Sequence, residues 1–160
     1  MNRHDKATER FLSGYNCAQS VLWAFADRVG LDADTAQRLA TGFGAGMGRR
    51  QETCGAVAGG ILVLGLIHGR GEGQDRAATE ETYKKTRQLM CRFESEHGTC
   101  NCRDLLGGCD IATAEGRKEF VDGDFLNTVC RPCVQTVVSI LEAMFDDDAE
   151  QTAAGHGDER

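Results

Sequence analysis

The chain has 160 residues, enough for one domain with its own core, and its hydrophobic (41%) and charged (27%) content is that of a globular protein. The net charge of −7 is concentrated at one end: residues 146–160 carry six acids and one arginine, which leaves −2 on the rest. No basic patch is evident, so nucleic acid is not expected as a partner; the N-terminus has no apolar signal segment, and the longest apolar run, Gly55 to Ile67, is too short and glycine-rich to span a bilayer, so a cytoplasmic location is expected.

Helical periodicity dominates and no β alternation is found. The expected fold class is all-α: a compact single-domain helical bundle over residues 1–145 with a buried apolar central helix. An acidic tail, 146–160, has no apolar periodicity and is expected to be disordered. In chain order, a first helix covers Asp5 to Leu12 and stops near Gly14. A second opens at Asn16 and runs to about Val29, with Cys17, Val21, Ala24 and Phe25 on one stripe. Asp34 caps a third, which reaches about Phe43. After the loop GAGMGRR, Thr53 caps a helix that runs to about His68; it is apolar all round and is the central element. A long charged helix spans 75–97, with Tyr83, Leu89, Met90 and Phe93 on its core face. A cysteine-rich turn with one short helix follows, then a short helix in TAEGRKEF. The last helix, from about Val129 to Phe145, carries Cys130, Cys133, Val134, Val137, Val138, Leu141 and Phe145 at helical spacing, and Pro132 is tolerated in its first turn.

Eight cysteines in a reducing compartment point to metal binding or redox chemistry rather than to a disulfide framework. Four of them follow a capping residue: Asn16–Cys17, Thr53–Cys54, Thr99–Cys100 and Asn101–Cys102. A thiol at the first helical position faces free N–H groups and the positive end of the helix dipole, which favour the thiolate. Small buried cysteines in a core are the alternative. Gly55 and Gly59, like Ala56 and Gly60, are four apart and strip one helix face of bulk, so that either a neighbouring backbone or a cofactor can approach. Cys91 falls on the polar side of its helix. Cys109 reads as a loop thiol. His68 and His97 end their helices, where the dipole favours them. Arg49, Arg50 and Arg103 stand beside cysteine segments and read as solvated surface or as partners for a cluster's charge or an anionic ligand.

The run Cys54-Gly55-Ala56-Val57-Ala58-Gly59, with GYNCAQSVL (14–22), GFGAGMGRRQETCGAVAGG (42–60), CRDLLG (102–107) and CRPCVQTVVSILE (130–142), resembles the redox-active family written C_GCAxxG_C_C. A similar region occurs in split-Soret cytochromes c. The resemblance covers nearly the whole chain to Phe145 and implies a helical fold, redox activity, a relation to iron chemistry and a possible homodimer. It carries the family's four cysteines onto Cys17, Cys54, Cys102 and Cys130, with Cys100 and Cys133 as alternates. The chain lacks Cys-x-x-Cys-His, so covalent haem is not expected.

Two chemistries follow. Four cysteines from separate segments can surround an iron–sulfur cluster or another iron centre, whose positive core offsets the repulsion between thiolates, or a structural zinc ion. Helix starts converging on the site would stabilise the anionic ligand set, with Gly55 and Gly59 lying against the cofactor. Alternatively, Cys130-Arg-Pro-Cys133 has the spacing of a metal-free thiol–disulfide oxidoreductase, though without the βαβ setting of that motif. A metal-binding module without catalysis is a third possibility. The partner expected is a redox protein or a small electron acceptor.

Overall fold

The computed structural model describes residues 1–155; the last five residues of the acidic tail lie outside the described residues. The expected all-α class is what the chain adopts: the described residues contain helices and no named strand, and the antiparallel bridge Thr53–Asn101 joins two loop segments. No helix is long and apolar enough to cross a membrane among the described residues.

α1 (Arg3–Leu12) starts where the Asn2 side chain accepts the Asp5 N–H, and it ends before Gly14, whose φ is +95°. Ala7 and Phe11, four residues apart, are its buried face. α2 (Cys17–Ala24) opens with a reciprocal capping box between Asn16 and Gln19. It breaks at Phe25 and continues as the single turn α3 (Ala26–Val29), which Gly30 closes at φ +72°. α4 (Ala33–Ala40) is capped by Asp32 rather than by Asp34. The two-residue shift places Ala36 and Ala40 inside and puts the Asp34 carboxylate in the first turn, where the dipole favours it. A 3-10 turn then covers Thr41–Phe43.

α5 (Gly55–His68) is the central helix, packed against α2, α6 (Arg76–His97) and the last helix, α9 (Arg131–Gly155). Its glycines are explained by these neighbours. A Cβ on Gly59 would stand 2.8 Å from the Ala18 carbonyl oxygen of α2, and one on Gly60 would stand 2.8 Å from both Leu89 and Val137. On α6 the buried stripe is Lys85, Leu89 and Phe93, at spacing four. Tyr83, expected on that face, is 56% exposed: six residues before Leu89 it is rotated by about 120° from the stripe.

α9 does not end at Phe145. It continues through the residues expected to begin the tail, as far as Gly155, because Asp147 pairs with Arg92 at 3.0 Å and Asp148 with the buried Lys85. His68 ends α5 with its Nε2 3.8 Å from the other oxygen of Asp148, and burial lowers its pKa, so the Lys85–Asp148 and Arg92–Asp147 ion pairs are what pin this end of α9. At the other end α9 starts later than expected. Leu126–Cys130 wind as a π turn and α-helix begins at Arg131. Pro132 has no N–H to give to the carbonyl four residues back, which suits the wider turn before it. The short α7 (Cys102–Leu105) and α8 (Ala114–Asp122) lie between α6 and this turn.

Candidate redox site

Cys17, Cys54, Cys102, Cys130 and Cys133, from five positions spread over more than a hundred residues of chain, line one cavity of about 340 Å³. Phe11, Leu105, Leu106, Ile111, Phe120 and Val129 supply much of its remaining wall, so the thiols face an apolar space.

Each thiol arrives there for a local reason. Cys17 is the first residue of α2, behind the Asn16 cap, and Cys102 is the first residue of α7, where Asn101 accepts the Asp104 N–H at 3.0 Å. These two expected caps are present. The other two are not. Cys54 is itself the cap of α5, because Thr53 is held in the bridge with Asn101. Cys100 lies outside any helix, and the Thr99 hydroxyl accepts the Asn101 N–H instead. The bridge is short and two-sided: Cys54 N–H donates to Cys100 O at 2.7 Å, and Cys102 N–H to Glu52 O at 2.6 Å. It fixes the Cys54 and Cys102 segments side by side. Cys130 ends the π turn, and Cys133 is buried in the first turn of α9.

The sulfurs interact in two pairs. Cys133 and Cys54 share a hydrogen bond, as do Cys130 and Cys17. The Cys133 thiol and, next, the backbone N–H groups of Val57 and Ala56 hold Cys54 below the ordinary thiol range, against the opposing effect of burial. Cys133 is correspondingly pushed far up, first by that hydrogen bond and then by burial. Cys17 is also raised well above the ordinary value, by its hydrogen bond to Cys130 and by burial. Burial, then the charges of Cys54 and Cys130, push Cys102 up to about 12. Of Cys17, Cys54, Cys102 and Cys133, Cys54 is the thiol whose ionisation the site favours. Among the described residues, no group of three or more His, Cys, Asp or Glu side chains is gathered so as to hold a metal ion.

Of the two glycines expected at a cofactor, Gly55 lines the cavity, whereas Gly59 faces Ala18 in the α2 interface. Cys100 is buried behind the wall, with its thiol toward Met90 O at 3.8 Å. Cys91 is exposed, as its polar helix face implied. Cys109, expected as a loop thiol, is buried and donates to Gly116 O at 3.1 Å. His97 stacks on Phe93 and meets Thr136 Oγ1 at 2.9 Å. Arg50 and Arg103 are tied to Glu52 and Asp110, while Arg49 lines the cavity.

Sequence reasoning missed a second feature of the site. Residues 45–49 form a left-handed turn, with φ of +54° at Ala45, +67° at Met47 and +71° at Arg49 between two glycines. Gly48 N–H donates to Gly44 O at 2.9 Å and Arg49 N–H to Ala45 O at 3.1 Å, as in a helix of the opposite hand. Left-handed backbone costs about 1–2 kcal/mol per L-residue, so the rest of the fold must hold this turn in place. Gly46 shows why it is there: a Cβ would fall 2.7 Å from Cys102 Cβ and 2.6 Å from Gln51 Cα. The turn lets the backbone pass under Cys102. Gln51, buried and also left-handed at +57°, donates through Nε2 to Cys109 O at 2.7 Å and accepts the Ile111 N–H at 3.0 Å. It ties the loop after Cys102 to the Cys54 segment. The glycines of GAGMG marked a turn, but nothing in the sequence marked its hand.

Compared with known proteins, residues 15–144 match the family model described as "Putative redox-active protein (C_GCAxxG_C_C)". The chain belongs to this redox-active family. The match takes in all five cavity cysteines, and the family's Cys-Gly-Ala-x-x-Gly motif is the entry to α5, where Cys54 caps the helix and Gly55 opens onto the cavity. No curated protein and no solved structure matches the chain.

Proposed function

We propose that the cavity is a one-electron redox centre that holds an iron–sulfur cluster on Cys17, Cys54, Cys102 and Cys130, with Cys133 beside them. The observation that carries this is the space itself: about 340 Å³, with thiols from distant segments on its wall and little else polar. The donor set suits the group. Thiolates are the ligands such clusters take, and their spacing around a void rather than at a point suits a core of several atoms. Three of the four stand at helix starts, where backbone amides stabilise the negative charge of the ligand set. Close thiols that resist ionisation together are those a positive core would bring to the thiolate state. A bound cluster would accept and donate single electrons there. The protein's own part is to hold the sulfurs, to keep water out with Phe11, Leu106 and Phe120, and to fix the Cys102 segment through Gln51 and the left-handed turn. The electron would come from or go to a redox protein or a small acceptor.

The test is single Cys→Ser replacement, with iron and visible absorption measured after anaerobic isolation. Loss of iron in the Cys17, Cys54, Cys102 and Cys130 variants, with retention in the exposed Cys91→Ser variant, is expected. Zinc alone in the wild-type protein would mark a redox-inert structural site.

One observation favours a second, metal-free reading: the Cys54–Cys133 hydrogen bond. In that case Cys54 thiolate attacks a substrate disulfide and releases one thiol. Cys133 then attacks the mixed disulfide, so that the substrate leaves as two thiols and the protein as a Cys54–Cys133 disulfide. The Cys130-Arg-Pro-Cys133 spacing suggests a different pair, but each of these thiols hydrogen-bonds a cysteine from another segment.

A further inference from the structure

The cysteine cavity does not end at the thiols. A second depression of about 240 Å³ shares Arg49, Ile111 and Phe120 with it and continues over Arg117 and Val121 to the surface, with no cysteine in its wall. The residues lining these two spaces include two arginines and no aspartate or glutamate, in a protein with 25 acids against 18 lysines and arginines. Among the described residues the Arg49 guanidinium makes no ion pair or hydrogen bond, and its backbone is held by the left-handed turn. Arg117 is braced: its Nη1 donates to Ile111 O at 3.3 Å and to Ala112 O at 2.9 Å, which leaves Nη2 and Nε available. Ile111, Phe120 and Val121 line the same depression as the two cations and offer apolar surface there, and Val121 is 73% exposed.

We propose that this outer lobe binds a small organic anion, an apolar body with one carboxylate-type head group, and presents it to the thiols. The charge comes from Arg49 and Arg117, the apolar body is accommodated by Ile111 and Phe120, and about 240 Å³, below the range of drug-sized clefts, limits the occupant to a small molecule. The use of the bound anion as a redox substrate rests on reading the cavity as the redox centre, but its binding does not require a metal.

The experiment is calorimetric titration of the reduced, metal-free protein with naphthoate, and with naphthamide as the uncharged counterpart. Naphthoate should saturate a single site and bind about tenfold more tightly than naphthamide, as one charge-assisted contact implies. Arg49→Asn removes the charge and keeps a residue that tolerates left-handed backbone. It should weaken naphthoate about tenfold and leave naphthamide within about twofold. Arg117→Gln, outside the turn, should do the same, and it decides the matter if circular dichroism shows Arg49→Asn unfolded. Equal affinity for the two probes, no saturation at millimolar naphthoate, or wild-type affinity in the folded arginine variants would overturn the proposal. Naphthoate binding by a wild-type protein that never retains iron upholds this site and counts against the cluster alone.

Discussion

The thiol of Cys133, in the first turn of α9, hydrogen-bonds the sulfur of Cys54 at the start of α5, which lowers the Cys54 thiol and raises that of Cys133. The Val57 and Ala56 N–H groups add to the lowering at Cys54, against the opposing effect of burial. This asymmetry has a direct readout. In the reduced, metal-free protein, the pH midpoint for alkylation of Cys54, followed by mass spectrometry, should lie below the ordinary thiol value of about 8.5. Replacing Cys133 with Ala should raise that midpoint by about one to two units, since a hydrogen bond to a charged group contributes about 1.5–3 kcal/mol. No movement in Cys133→Ala would contradict this pairing.

The other buried thiols act on stability in the opposite sense. Burial pushes Cys100 and Cys102 up to about 12, whereas in the unfolded chain they ionise near 8.5. A raised folded-state value gives stability that is whole below the unfolded value and is lost as pH rises towards 12. Cys54, with its lowered value, opposes this only in part. The Tm of the metal-free protein should therefore fall steadily from pH 8 to 10, and the fall should be shallower in Cys100→Ala.

Gly59 and Gly65 lie on the same helix and should respond to alanine with opposite signs. At Gly59 a Cβ would meet the backbone of Ala18, with its oxygen at 2.8 Å and its Cα at 3.0 Å, neither of which can swing away. Gly59→Ala should destabilise by roughly 1–3 kcal/mol. At Gly65 nothing lies within 4 Å, so Gly65→Ala should gain up to about 1 kcal/mol from helix propensity. Thermal unfolding of both, side by side, checks the assignment of these glycines to packing.

Gln51→Ala removes the partner of two backbone groups, Cys109 C=O and Ile111 N–H. At about 1–3 kcal/mol for each group left buried and unpaired, a loss of roughly 2–6 kcal/mol is expected. Proteolysis should then cut first between Cys102 and Ala114, the segment that Gln51 holds. A Gln51→Ala protein as stable as the wild type would show that this tie contributes nothing.

Much of this was legible in the sequence because it is written in local rules. Asn16 and Asn101 each bind an N–H in the first turn of their helix, so the placement of Cys17 and Cys102 at helix starts could be read directly. The apolar girth of Gly55–Ile67 marked the central helix. Thr53 and Thr99 look the same as sequence, but a long-range bridge takes one out of its capping role and the chain at Cys100 is not helical. Asp147 and Asp148 read as tail because their partners, Arg92 and Lys85, lie more than fifty residues away. The left-handed turn at 45–49 was invisible for a related reason. Alanine, methionine and arginine do not favour that backbone, and only the passage beneath Cys102 requires it.

The most direct test is the composition of the protein isolated without oxygen from cells supplied with iron. Iron and acid-labile sulfide in near-integral ratio to the chain, with visible charge-transfer absorption that Cys54→Ser abolishes, is the result expected of a cluster in the cysteine cavity. Protein free of iron and sulfide, with Cys54 joined to Cys133 after mild oxidation, would contradict it and leave thiol–disulfide exchange as the chemistry of the site.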